Sequence, residues 1–292
     1  MRIVTSFACL VVLVLALCST PNASAQESMK SVKFEGARVN YVDYGKGSEA
    51  LVFIHGWSCN HTFWKENLTA FKDRTRLLAI DLPGHGTSEI PSAKLTMDLF
   101  AKAVNAVMVD AGVKKAVLVG HSMGTPVARQ FYRLFPDRTL AIVMVDGSVK
   151  PFGDKQTMEQ LMGAFRSPNY KQAMEGMLGS MTGPIKRPEV VAQIKTSMMA
   201  TPQPVIVGAM EAMLDDSIWK DDKIKVPVLA LMAPNPFWTE DYYTYLRTIA
   251  PDIEIQKWDG VSHFLMMDEP QKFNDAVSSF LAGKKLLGYK SK

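Results

Sequence analysis

Cysteine is nearly missing from this chain. Of the three in 292 residues, Cys9 and Cys18 sit in the first apolar run and Cys59 stands alone. A mature chain that keeps only Cys59 can close no intramolecular disulfide, so its core must hold it together. The same scarcity excludes a Cys/His metal cluster. An excess of one charge is missing too. The net charge is +4, and no dense Lys/Arg run interleaves with aromatics, so nucleic acid is not an expected partner. Long hydrophobic runs are also lacking. The longest, residues 7–18, is too short to cross a hydrocarbon core of roughly 30 Å as a helix.

That short run has another meaning. Arg2 is the one charge among the first 25 residues, and Ala23-Ser24-Ala25 precedes Gln26. A basic start, an apolar stretch and small residues at a cleavage point describe a secretory signal peptide over 1–25. The mature protein is therefore expected to be secreted or periplasmic, with no stable membrane anchor.

What is present is alternation. Segments 31–35, 38–44 and 50–55 read as strands, and Leu51-Val52-Phe53-Ile54 has the continuous apolar character of a strand buried on both faces. A helix over 62–71, a strand over 76–81, a helix over 95–111, a strand over 116–120, a helix over 123–134 and a strand over 140–146 follow. Such alternation implies parallel strands with right-handed crossovers, hence an α/β fold. The alternation then breaks. From 150 to 220 only helical spacing is found, as in Met158, Leu161, Met162 and Phe165. Strands resume at 226–232 and 253–258, with helices at 239–249 and 270–281. The expected organisation is a core over 26–149 and 221–286, a helical cap over 150–220 and a flexible tail over 287–292.

The most specific motif is Gly120-His121-Ser122-Met123-Gly124, preceded by an apolar strand and followed by a helix. A tight strand–turn–helix of this kind lifts a serine hydroxyl to the carboxyl end of a sheet. It also places the Met123 N–H at a helix N-terminus, where it can face an oxyanion. A second donor is expected from Trp57, in the His55-Gly56-Trp57 exit of an earlier strand. Of the five histidines only His263, in Gly260-Val261-Ser262-His263-Phe264, follows the last strand, where a base could reach Ser122. His55 and His85 are expected to brace loops, and His61 to lie at the surface or a helix start.

Taken in order, the segments HGW, DLPGHG, GHSMG and GVSHF resemble those of the α/β-hydrolase superfamily, and are most similar to its capped esterase and lactonase-like branch. The resemblance runs from about residue 31 to 286. It implies an eight-stranded, mostly parallel sheet flanked by helices, with a lid after strand six. It also implies a nucleophile, acid and histidine in that chain order, without a cofactor. The chain departs from the common pattern at the acid, because Asn235 stands about where an Asp after strand seven would be expected. A neutral amide can orient an imidazole but cannot stabilise its cation by charge. Asp146, ending the buried strand before Gly147, is the preferred acid, since a buried carboxylate is costly without a partner. Glu240, Asp241 and Asn235 stay open as alternatives.

Half of the eighteen methionines fall between Met158 and Met213. With Trp57, Trp64, Phe152, Phe165 and Phe237 near the expected pocket, they point to a small apolar or aromatic ester-like substrate, although core packing explains helical spacing equally well. The expected activity is hydrolysis of a carboxylic ester or lactone through an acyl-enzyme. The alternatives are cleavage of a carbon–carbon bond in a diketone-type substrate, and a non-catalytic ligand receptor on the same fold.

Overall fold

A computed structural model describes residues 28–289. The signal peptide expected over 1–25 lies outside those residues. Eight strands form one sheet: β1 (Ser28–Phe34), β2 (Ala37–Tyr44), β3 (Glu49–Ile54), β4 (Leu77–Ile80), β5 (Lys115–His121), β6 (Thr139–Val145), β7 (Val228–Met232) and β8 (Ile253–Lys257). Their spatial order is β1-β2-β4-β3-β5-β6-β7-β8. β1 and β2 pair antiparallel, as do β2 and β4, and the remaining pairs are parallel. The interior strands bury every residue from Leu51 to Ile54 and from Leu77 to Ile80, because helices cover both faces. Each of these side chains other than Ala79 contributes roughly 1.5–3 kcal/mol on leaving water.

The helices are α1 (Lys65–Phe71), α2 (Met97–Asp110), α3 (Gly124–Leu134), α4 (Lys155–Arg166), α5 (Tyr170–Thr182), α6 (Pro188–Met199), α7 (Gln203–Met213), α8 (Glu240–Ile249), α9 (Leu265–Asp268) and α10 (Pro270–Gly283). Side chains set their starts. The Thr96 hydroxyl accepts from the Leu99 N–H to cap α2, Asp154 caps α4, and Thr239 caps α8. Helices α4 to α7 form an uninterrupted helical insertion between β6 and β7.

One residue ties this insertion to the sheet. Arg129 on α3 is fully buried, and its guanidinium donates to the Val149 carbonyl where the chain leaves β6, at 2.9 Å. The same group donates to the Lys220 carbonyl where the chain returns. Five donors in a rigid fork let one side chain hold both ends of the excursion.

Two expectations need correction and one is narrowed. The tail does not begin at 287: Leu287 packs against the core, and the Tyr289 ring is buried with the Arg74 guanidinium 4.9 Å from its centroid. Trp64 and Phe165 do not line the cavity that holds Ser122; Trp64 is buried against Phe53 and Phe165 against Trp57, each at 5.1 Å between ring centroids. Of the two places expected for His61, it takes the helix start and not the surface: it opens a 3-10 helix over His61–Trp64 and is buried, paired with Asp81 at 2.8 Å. Among the described residues, no helix is long and apolar enough to cross a membrane.

Candidate active site

The glycines of the Gly120–Gly124 motif are needed for close approach. A Cβ on Gly120 would collide with the Gly124 carbonyl, and one on Gly124 with the Ile54 carbonyl. Only without them can β5, α3 and β3 meet. The turn between holds Ser122 at φ 51°, a left-handed conformation that costs a non-glycine residue of order 1–3 kcal/mol. Its backbone is fixed on both sides, with Ser122 N–H donating to Val145 O and Thr125 N–H donating to Ser122 O, each at 2.9 Å. Among the described residues the Ser122 hydroxyl makes no hydrogen bond.

Asp146 ends β6 in the same unusual backbone region, at φ 44°. It is almost fully buried, yet its carboxylate has three partners. Oδ2 lies 2.6 Å from His263 Nδ1, while Oδ1 accepts from the Ala233 N–H at 3.0 Å and from Trp238 Nε1–H at 2.8 Å. A carboxylate at His263 Nδ1 holds the proton there and leaves Nε2 as the basic nitrogen.

The other candidate acids are not brought to His263. Glu240 is exposed and paired with Lys257, and Asp241 is exposed on the first turn of α8. Asn235 lines the same cavity, but its Oδ1 accepts from the Phe237 N–H. These three alternatives are set aside on that geometry. The carboxylate reaches His263 from the strand-six position, and the loop after β7 contributes an amide and an indole to hold it.

Ser122, Met123, Trp57, Asp146 and His263 all line one cavity of about 410 Å³ at the carboxyl end of the sheet. The Trp57 and Met123 N–H groups make no backbone hydrogen bond among the described residues. Gly56 brings the first of them close, since a Cβ there would stand 3.1 Å from Ser122 Cβ. The Trp57 indole is engaged elsewhere, donating to Ile206 O in α7 at 2.8 Å. Opposite the sheet the wall is apolar, with Met158, Met177, Met181, Met210 and Met213 from the insertion and Phe152 and Phe237 beside them. Among the described residues, no lysine or arginine lines this cavity.

Two residues were missed in the sequence. Trp238 gave no signal, since an indole after a Pro-rich turn reads as packing. His121 was legible only as the variable position of the motif. It is fully buried, lies 2.9 Å through Nε2 from the His263 carbonyl, and packs ring to ring on His263 at 4.8 Å. Burial, reinforced by the His263 charge, drives its pKa well below the ordinary value, so it is neutral. Since a carbonyl only accepts, Nε2 carries its proton. Nδ1 is buried without a hydrogen-bond partner.

A second polar network supports the loop behind the site. Asp81 accepts from the backbone N–H of His61 and Thr87, each at 2.8 Å, and pairs with His61 Nδ1. Burial pushes its carboxyl up, but the His61 hydrogen bonds and charge outweigh that and hold it at about 2. His55 accepts the Leu82 N–H at 3.0 Å and packs on His85 at 5.1 Å. Burial, above all, pushes these two imidazoles down to about 4 and about 3. Among the described residues no group of His, Cys, Asp and Glu could hold a metal ion.

With this geometry in place, comparison with known proteins gives the class. Residues 51–276 match the alpha/beta hydrolase family, and the chain belongs to it. It is 39% identical over 120 residues to the dihydrolipoyllysine-residue acetyltransferase component of the acetoin cleaving system of Cupriavidus necator, a match covering 41% of this chain and 32% of that protein. The chain therefore spans only about a third of that relative. It is 24% identical over 261 residues to a 2-hydroxy-6-oxononadienedioate/2-hydroxy-6-oxononatrienedioate hydrolase of Paraburkholderia phymatum, covering 84% of this chain and 91% of that one. Its fold is similar to that of a thermophilic esterase from Thermogutta terrifontis, with a TM-score of 0.77 and 23% identity over 89% of this chain and 99% of the other.

Proposed function

We propose that this protein is a serine hydrolase that cleaves a carboxylic ester or lactone of an apolar substrate through an acyl-enzyme, and that it acts outside the cytoplasm after loss of residues 1–25. The observation that carries the reading is the 2.6 Å contact of His263 Nδ1 with Asp146, made beside an unbonded Ser122 hydroxyl held in a strained turn. In the proposed cycle His263 Nε2 takes the Ser122 proton as Oγ attacks the carbonyl carbon. The Trp57 and Met123 N–H groups face the oxyanion that forms. The intermediate collapses, and the leaving alkoxide takes the proton from His263. Water then attacks the acyl carbon with His263 again as base, releasing the acid and restoring Ser122.

Substrate polarity follows from the walls. The Paraburkholderia relative is named for a dioate, but a dianion entering this cavity would meet no lysine or arginine. Stripping water from two carboxylates without a cationic partner costs several kcal/mol each, on the order expected for buried ions. A neutral apolar ester carries no such cost. The same argument applies to carbon–carbon cleavage of diacid substrates, and leaves ester or lactone hydrolysis in front.

The test is turnover of p-nitrophenyl acetate, butyrate and octanoate by the mature chain and by Ser122→Ala, with a fluorophosphonate probe as a substrate-independent check. Hydrolysis that disappears in the variant, with labelling confined to Ser122, is the expected result. Binding of the esters without turnover, and no labelling, would make the protein a receptor instead.

A further inference from the structure

A second and larger cavity, of about 870 Å³, lies on the other side of the insertion's inner wall. It shares Phe152, Met158, Met213 and Trp219 with the cavity that holds Ser122. The partition is thus one layer of side chains, drawn from where the chain enters the insertion, from α4, from the end of α7 and from where the chain leaves. Two of the four are thioethers, whose three rotatable bonds let them swing aside at little cost. The chambers differ in chemistry. The inner one has no lysine or arginine, whereas the outer one is edged by Lys94, Lys155, Glu159 and Asp216, all exposed, so its mouth faces solvent.

Resting on the hydrolytic reading above, we propose that the outer chamber is a second subsite of the same active site. It receives the far, polar end of a long amphiphilic ester whose apolar body passes the methionine and tryptophan partition to reach Ser122. A short ester would fill only the inner chamber of about 410 Å³ and leave the outer one unused. The mixed charges favour an end that hydrogen-bonds, such as a hydroxyl or a zwitterionic head, over a bare methyl.

Variants that fill only the outer chamber test this. Leu214→Trp and Glu159→Trp both project into it and neither residue lines the inner cavity; Leu214 packs partly against the core, whereas Glu159 is exposed, so its exchange disturbs no packing. Each is expected to lower kcat/KM for p-nitrophenyl dodecanoate about tenfold while p-nitrophenyl acetate is cleaved as by the unmodified protein. An ω-hydroxylated dodecanoate ester should be cleaved at least as well as the plain one. Parallel changes for acetate and dodecanoate, or no change for either, would overturn the proposal. If no ester turns over at all, titration of dodecanoate into Ser122→Ala with and without Glu159→Trp decides separately. Affinity lost on filling the chamber upholds the subsite while the hydrolytic reading falls, and unchanged affinity removes the subsite.

Discussion

The two walls of the inner cavity are made differently. On the sheet side, Ser122 and Asp146 are pinned at positive φ, and three hydrogen-bond partners hold the Asp146 carboxylate. On the insertion side stand unbranched methionines with no hydrogen bonds to satisfy. Proton transfer tolerates little misplacement, while an apolar chain needs a surface that adapts to it. On the proposed mechanism, rigidity is therefore found where atoms react, and softness where shape is read. Arg129 joins the two walls from beneath, through carbonyls at both ends of the insertion.

The comparison predicts unequal sensitivity, and the largest effect should come from the sheet side. Asp146→Asn keeps the size of the side chain and can still accept from Ala233 and Trp238, so the fold should survive. The amide would no longer hold His263 in its productive tautomer or balance its cation. We expect kcat to fall by about 10³–10⁴ with an unchanged circular dichroism spectrum. Turnover within a few-fold of the unmodified protein would remove Asp146 from the mechanism.

How far this site could be read from the sequence depended on distance along the chain. The turn at Ser122 is local, and residues 116–134 hold the whole strand–turn–helix, so its geometry was legible. Strands β3 to β7 were legible because their apolar runs are continuous, and β1, β2 and β8 from stretches in which apolar and polar residues mix. The contact between Asp146 and His263 spans 117 positions, and only the cost of burying an unpaired carboxylate pointed to it. Glu240 and Asp241 could be set aside only once α8 was seen to turn them outward. Whether His61 would open a helix or lie at the surface stayed open because its partner Asp81 lies twenty positions away, across a strand. Nothing in the sequence marked Trp238 or the second chamber, which arise from how loops and the insertion fold back on the sheet.

The next largest effect should come from His121, which touches no substrate and acts by positioning. Its Nε2–H donates to the carbonyl of His263, so its loss frees the loop that carries the base. His121→Leu should lower kcat by about 10–10² with little change in KM, as expected when transition-state geometry is disturbed and ground-state binding is kept. His121→Gln, which retains an N–H donor, should restore part of the loss. Equal kinetics for the two variants would show that the ring only fills space.

Acid should also unfold the two sides differently. His55 and His85 titrate in the fold at about 4 and about 3, against 6.5 when unfolded, and His121 is lowered in the same direction. Below 6.5 the unfolded chain takes up protons that the folded chain refuses, so lowering the pH favours unfolding. Each histidine can cost up to about 1.4 kcal/mol per pH unit in that window. Asp81 works lower down, since its contribution is intact above its ordinary 3.8 and fades as pH falls toward about 2. The insertion holds no histidine. Urea midpoints should therefore fall from pH 7 to pH 5, with hydrogen exchange rising first around residues 55, 85 and 121. His85→Phe should flatten the slope, and a midpoint independent of pH over this range would contradict the argument.

The smallest effect should come from the insertion wall. Met177, Met181 and Met210 all line the cavity. Methionine and leucine have similar volumes, and such exchanges usually cost below about 1.5 kcal/mol each. If the wall reads shape by adapting, replacing all three by leucine stiffens it without closing it. Stability and acetate turnover should then hold within about threefold, while preference among butyrate, octanoate and aromatic acyl esters narrows. A collapse of turnover toward every ester would mean that these thioethers position the reacting groups, and that the two walls are not as different as their chemistry suggests.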